Sequence, residues 1–214
     1  MNKIIFDNVT PNVFKAVSNL NSDIWQTKAV FEKGKTYLVA AESGKGKSTF
    51  CSYIMGYRHD YSGSVLFDNE DITQFNAARW TQIRQCNISH VFQELRLFPE
   101  LTALENILIK NQLTQHVDEN KIMKWFDRFG IPEKINTKIG LMSFGQQQRV
   151  AMMRALSQPF DILLADEPTS HLDDRNSQIM AEIMLEEAQA KNACIIVTSI
   201  GKHMQLKYDK LLQL

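Results

Sequence analysis

Apolar positions change their spacing twice along the chain. Ile4-Ile5-Phe6, Ala29-Val30-Phe31 and Lys35-Thr36-Tyr37-Leu38-Val39-Ala40 are short β-branched and aromatic runs separated by polar segments, the pattern of strands. A Gly/Ser turn follows, and residues 47–57 then fit a helix. Gly63-Ser64-Val65-Leu66-Phe67 predicts another strand, closed by the polar turn Asp68-Asn69-Glu70, and Ile88-Ser89-His90-Val91-Phe92 a buried one. From Gln93 to Ser143 the β-branched runs vanish, and residues 102–110 and 118–129 carry apolar side chains three and four apart, which predicts a helical lobe. Alternation returns afterwards: helix over 145–158, strand over 161–165, a long amphipathic helix over 173–191 and a strand over 193–198. Strands alternating with helices at both ends, with a helical insertion between, predict an α/β fold built on a mostly parallel sheet.

Composition narrows this picture. A chain of 214 residues is one ordinary domain, or one domain with a small lobe inserted, so residues 1–214 read as a single unit with its core in 1–92 and 144–214 and a lobe at about 93–143. Lys and Arg total 24 against 24 Asp and Glu, and this balance counts against a nucleic-acid partner or non-specific attraction to anionic lipid. Cys51, Cys86 and Cys194 share no C-x-x-C spacing and read as reduced core thiols of a cytosolic protein. An acid at Asp7 interrupts the amino-terminal apolar run, and nowhere do the ~18 consecutive apolar residues of a membrane span occur, so the chain is not expected to cross a membrane by itself.

Three segments carry chemistry. Ala41-Glu42-Ser43-Gly44-Lys45-Gly46-Lys47-Ser48 stands where a strand enters a helix and fits G-x-x-x-x-G-K-[ST] at every fixed position but the first, where Ala41 replaces Gly. Glycines at 44 and 46 let backbone N–H groups face a phosphate, the helix N-terminus adds a positive field, Lys47 neutralises β- and γ-phosphates, and Ser48 offers a hydroxyl to Mg²⁺. A negative φ at Ala41 would tolerate the methyl, whereas a positive one would cost roughly 1 kcal/mol or more. Ile162-Leu163-Leu164-Ala165-Asp166-Glu167 is an apolar strand ending in two carboxylates, which a parallel sheet delivers to the edge where the phosphate loop lies. This is a Walker B pattern, with Asp166 suited to hold Mg²⁺ through water and Glu167 to polarise an attacking water. Met142-Ser143-Phe144-Gly145-Gln146-Gln147-Gln148-Arg149 by itself is only a helix start with Ser143 as N-cap.

Together these segments resemble the ATP-binding-cassette (ABC) ATPases, a P-loop NTPase family, with Met142–Gln146 similar to the signature L-S-G-G-Q. The resemblance implies a mostly parallel core sheet, an antiparallel β portion and an inserted helical lobe. It implies ATP and Mg²⁺ as cofactors, held by residues Ser43, Gly44, Lys45, Gly46, Lys47, Ser48 and Thr49, with Ser143, Gly145 and Gln146 contacting nucleotide. Gln93, after Val91-Phe92, resembles the Q-loop glutamine with a catalytic and metal-binding role beside Ser48 and Asp166, and Ser170-His171-Leu172-Asp173 resembles the D-loop. Phe14 stands near the place of the aromatic residue that stacks on adenine, and Trp25 is its rival. One departure is marked: the family's switch histidine is replaced by Ser199 after Ile195-Ile196-Val197-Thr198, with His203 four residues on as the alternative donor.

One copy of each motif implies that two cassettes, expected to be identical, close head to tail over ATP. The segment Phe98-Pro99-Glu100-Leu101-Thr102-Ala103-Leu104-Glu105-Asn106-Ile107 resembles transporter cassettes, especially of the lipoprotein-release and macrolide-export type. The expectation is the ATPase subunit of a transporter, cytoplasmic and peripheral on the inner face of the membrane, driving a separate transmembrane permease. A slowly hydrolysing or non-hydrolysing ATP-gated clamp is the alternative that Ser199 raises. A nucleic-acid-associated ABC factor would bring a second cassette, a coiled coil or a basic arm.

Overall fold

Two sheets share one buried layer. β1 (Lys3–Pro11) pairs antiparallel with β2 (Lys28–Glu32) on one side and with β4 (Tyr61–Phe67) on the other, and the short β5 (Glu70–Asp71) extends β4. The second sheet is parallel throughout, in the order β6 (Ile88–Val91), β7 (Ile162–Asp166), β8 (Cys194–Ser199), β3 (Thr36–Ala40), β9 (Lys210–Gln213). The computed structural model describes residues 1–214 except Ser18, Ser43 and Lys202. Every residue of β3, β7 and β8 is buried, as expected of central parallel strands covered on both faces.

Among the described residues six α-helices cover the sheets: α1 (Lys47–Ile54), α2 (Ala77–Cys86), α3 (Ala103–Asn111), α4 (Glu119–Arg128), α5 (Phe144–Leu156) and α6 (Asp174–Ala190). One core lies between the antiparallel sheet, α1 and one face of the parallel sheet. There Phe6 meets Trp25 edge-on at 6.0 Å between centroids and Phe50 at 5.2 Å, so β1 and the helix that follows the phosphate loop rest on one aromatic cluster. The other core joins the opposite face of the parallel sheet to α5, α6 and the helices of the lobe. In α4, Ile122, Trp125 and Phe126 supply the apolar stripe and Phe129 continues it, while Asp118 caps the first turn and Gly130, at φ +66°, ends the helix.

Buried Asn106 secures the start of the lobe. Its amide accepts from Phe98 N–H at 2.8 Å and donates to the carbonyls of Phe98 and Thr102 at 3.0 and 2.9 Å. Thr102 and Glu105 form a reciprocal capping box on α3. The helix expected over 47–57 stops at Ile54, because Gly56 takes a left-handed φ of +63° and turns the chain out. The apolar spacing of the sequence marks neither helix α2 nor strand β9, and Cys86, expected in the core, is exposed at the end of α2, which buries one face only. Only Trp80 and Ile83 of α2 are buried, too few to set a period, and β9 is a four-residue edge strand. Among the described residues, no helix is long and apolar enough to cross a membrane.

Candidate functional site

The phosphate-binding loop leaves β3 at Ala40 and enters α1 at Lys47. Ala41 is not among the residues of positive φ, and its N–H donates to Ser199 O at 3.1 Å, so the loop begins as a continuation of the β3–β8 ladder. This resolves the open choice at Ala41 in favour of a tolerated methyl. Gly44 and Gly46 have φ of +81° and +97°, and Gly46 is the N-cap of α1. A Cβ on Gly46 would lie 3.0 Å from Phe14 Cε2 and 3.4 Å from the Trp25 indole, so both backbone angle and close approach require glycine. Ser43, expected in this loop, lies outside the described residues.

Trp25 is 2% exposed, and its indole N–H donates to Lys45 O at 3.3 Å. It therefore buttresses the loop from behind and presents no face to a base, while Phe14, partly exposed on the same side, remains accessible. Lys45 and Ser48 are exposed. Thr49 is buried, and its hydroxyl accepts from Arg58 at 3.3 Å.

Lys47 is buried, and its ammonium lies among the carboxylates at the end of β7. It forms an ion pair with Glu167 Oε1 and approaches Asp166 Oδ1 at 3.5 Å. Register explains this convergence. Asp166 pairs with Thr198 across β7–β8 and Ala40 with Ser199 across β3–β8, so the strand ends carrying the loop and both acids stand side by side. The Thr198 hydroxyl donates to Asp166 Oδ1 at 2.5 Å, fixing the carboxylate, and Glu167 N–H donates to Thr198 O at 3.0 Å. Glu167 adopts φ +48°, a left-handed conformation that turns the chain sharply after the strand. Thr198 was missed as a positioning group in the sequence, although it lies next to Ser199; only the register reveals its partner.

Ser199 closes β8 and is buried at 4% exposure. Beside it, Glu167, Ser170, Leu172 and Met204 line a cavity of about 190 Å³. His203 is exposed in the segment that follows. Gln93 is exposed in the turn after β6. Ser143 caps α5 reciprocally with Gln146: Ser143 N–H donates to Gln146 Oε1 at 3.0 Å, and Gln146 N–H to Ser143 Oγ at 3.4 Å. Among the described residues, no hydrogen bond or ion pair of Ser143, Gly145 or Gln146 reaches the phosphate loop.

The start of α5 packs instead on the turn after β7. A Cβ on Gly145 would lie 3.1 Å from His171 O, the Phe144 ring sits 4.3 Å from the His171 ring, and Gln148 donates to Ser170 Oγ at 3.2 Å. A single chain thus groups Lys47, Asp166, Glu167 and Ser199 at one edge of the sheet and holds its Ser143 cap on a separate surface. An ammonium at a helix N-terminus, with open space around Gly44, has the chemistry that suits a phosphate chain. Oxygen donors from Ser48 and Asp166 suit Mg²⁺, which takes hard ligands.

The family model described as ABC transporter matches residues 26–170. An uncharacterized ABC transporter ATP-binding protein of Bacillus subtilis, YclH, is 33% identical over 173 residues, covering 79% of this chain and 75% of that protein. The lipoprotein-releasing system ATP-binding protein LolD of Legionella pneumophila is 28% identical over 220 residues, covering 100% of this chain and 96% of LolD. Other curated relatives, from Mycobacterium tuberculosis, are longer, and the chain spans 59% of their length. Among solved structures, the dimeric bacterial ABC transporter cassette MJ0796 superposes with a TM-score of 0.76 at 26% identity, covering 92% of this chain and 87% of that one. Its post-hydrolysis dimer with ADP and Pi gives a TM-score of 0.72.

Proposed function

Because the chain belongs to the ABC transporter family as one of its ATP-binding cassettes, we propose that it binds Mg-ATP at the loop 41–48, closes as a homodimer on that nucleotide, and hydrolyses it to drive a separate membrane permease. The convergence of Lys47 with Asp166 and Glu167 carries this reading. Lys47 holds the β- and γ-phosphates, the N–H groups from Gly44 to Thr49 ring them, and Phe14 offers its ring to adenine. Mg²⁺, when bound, neutralises charge on the phosphates, and Ser48, Gln93 and Asp166 would hold it. Glu167 orients the attacking water and takes its proton. Thr198 keeps Asp166 in place.

In a two-fold pair, Ser143, Gly145 and Gln146 of one chain face the nucleotide of the other, with the N-terminal dipole of α5 directed at the phosphate. The lobe of about 93–143 is the permease-facing part, and the assembly sits peripherally at the cytoplasmic face of the membrane. A groove of about 270 Å³ supports that assignment: Arg84, Arg96, Lys110 and Arg154 surround an apolar floor that includes Met55 and Ile109. Among the described residues none of these four cations forms a salt bridge, which suits an acidic segment of a permease.

Purified protein should release phosphate from ATP with Mg²⁺, and Lys47→Ala should bind ATP at least tenfold more weakly. Wild-type affinity in that variant would overturn the site. Ser199 favours a second reading, a slow ATP-gated clamp. Steady-state phosphate release with and without a co-purifying membrane protein separates the two, since a motor accelerates with its permease and a clamp does not.

A further inference from the structure

Cys51 on α1, His90 in β6 and Asp166 at the end of β7 come from three distant segments, yet one ligand atom from each lies within 4.8 Å of the others. Cys51 is 3% exposed and Asp166 6%. Both ring nitrogens of His90 are sealed from solvent and meet no hydrogen-bond partner. A buried polar group left in that state costs about 1–3 kcal/mol, so an imidazole kept there needs a compensating ligand. The ring packs on Phe92 at 4.0 Å, which fixes its position. Burial, and then the charge of Arg96, push His90 down to about 3, so the imidazole is neutral, the form that ligates metals.

We propose that Cys51, His90 and Asp166 form a binding site for a borderline-soft divalent cation, zinc above all, with water as the fourth ligand. The donor set decides the class of ion. One sulfur, one imidazole nitrogen and one carboxylate oxygen suit zinc or cobalt, whereas Mg²⁺ and Ca²⁺ take oxygen. In a tetrahedral zinc site such donors stand about 3.5 Å apart, so the cluster closes by roughly an ångström on loading. The Cys51 thiol, held protonated by burial and by Asp166 against the opposing pull of Lys47 and Thr198, gives its proton to solvent as the Zn–S bond forms. Lys47, 3.5 Å from Asp166, and Arg96, whose charge acts on His90, oppose the incoming charge, and the ion pair of Lys47 with Glu167 offsets part of that repulsion.

The consequence rests on the proposed Mg-ATP reading: an ion that takes Asp166 removes that carboxylate from the nucleotide's magnesium, so zinc inhibits turnover. Cobalt reports the site without any activity. The full-length protein titrated with Co²⁺, free of nucleotide, should develop a thiolate-to-cobalt charge-transfer band that added zinc abolishes. Cys51→Ala should lose the band, His90→Phe should weaken Co²⁺ binding at least tenfold while keeping an aromatic ring on Phe92, and Cys86→Ser should leave both unchanged. Absence of the band in wild type, or its survival in Cys51→Ala, overturns the site. In the second arm, buffered micromolar zinc should lower phosphate release by wild type at least tenfold, and by His90→Phe much less, each against its own zinc-free rate. A cobalt band with no zinc inhibition would overturn the competition for Asp166. A cobalt band in a protein that never hydrolyses ATP would uphold the site and count against the ATPase reading alone.

Discussion

Replacing Glu167 by Gln should tighten nucleotide binding and slow turnover together. The buried Lys47 ammonium pairs with Glu167, so a phosphate that binds Lys47 competes with that carboxylate. A charge-assisted hydrogen bond contributes about 1.5–3 kcal/mol and a neutral one about 1 kcal/mol. The amide therefore competes less well by about 0.5–2 kcal/mol, which is about 2- to 30-fold in affinity at 1.4 kcal/mol per tenfold. Lys47 is not orphaned in the variant, because Asp166 remains 3.5 Å away, and Gln takes the left-handed φ of +48° no less readily than Glu. Loss of the general base should cost about 10²–10⁴ in rate. Titration with a fluorescent ATP analogue and Mg²⁺ gives the first quantity and phosphate release the second, while size-exclusion chromatography should show an ATP-stabilised dimer. A folded variant whose affinity is equal to or below wild type would refute the competition argument, and unchanged turnover would remove Glu167 from the chemistry.

Ser199→His should raise phosphate release ~10²–10³-fold with little change in ATP affinity, because it restores a donor to developing charge and the adjoining cavity of about 190 Å³ gives the imidazole room. Equal rates in the two proteins would shift the role to His203. Asn106→Ala should destabilise the fold by about 2–3 kcal/mol by leaving the Phe98 N–H and the Phe98 and Thr102 carbonyls without their partner, read as a lower denaturant midpoint. Burial alone would raise Glu187 on α6, but hydrogen bonds from Lys121 on α4 and from Lys191 hold it below the usual carboxylate range. A depressed folded pKa contributes stability above the unfolded value of about 4.3, lost as pH falls through the folded one. Glu187→Gln should therefore flatten the acid limb of thermal stability below about pH 4.5, and an unchanged limb would refute the linkage.

What the sequence revealed depended on how local each constraint was. The phosphate loop is legible because Gly44, Gly46 and Lys47 answer to a turn and a helix start within a few residues. The acids at 166 and 167 are legible because an apolar strand must end somewhere and polar residues mark the place. The choice between Phe14 and Trp25 was not, because both are aromatic in a β-rich stretch; burial of Trp25 beneath Lys45 decides which one faces outward. Thr198 as the support of Asp166, and the meeting of Cys51 with His90, depend on sheet register and on packing between segments tens of residues apart. Strand β9 escaped because the exposed Leu211 and the buried Leu212 are adjacent, and four residues at an edge set no period.

The hold that α5 has on the turn after β7 gives the pair of cassettes a property that neither site has alone. Ser170 N–H donates to Glu167 O at 3.3 Å and its hydroxyl accepts from Gln148 on α5, so one residue links the turn bearing Glu167 to the helix bearing the Ser143 cap. In a two-fold dimer those two ends of one chain serve different ATP molecules. On the proposed reading, a shift of Glu167 would be felt, through Ser170, at the helix that carries the Ser143 cap. One serine would then couple the chemistry at one nucleotide to the grip on the other.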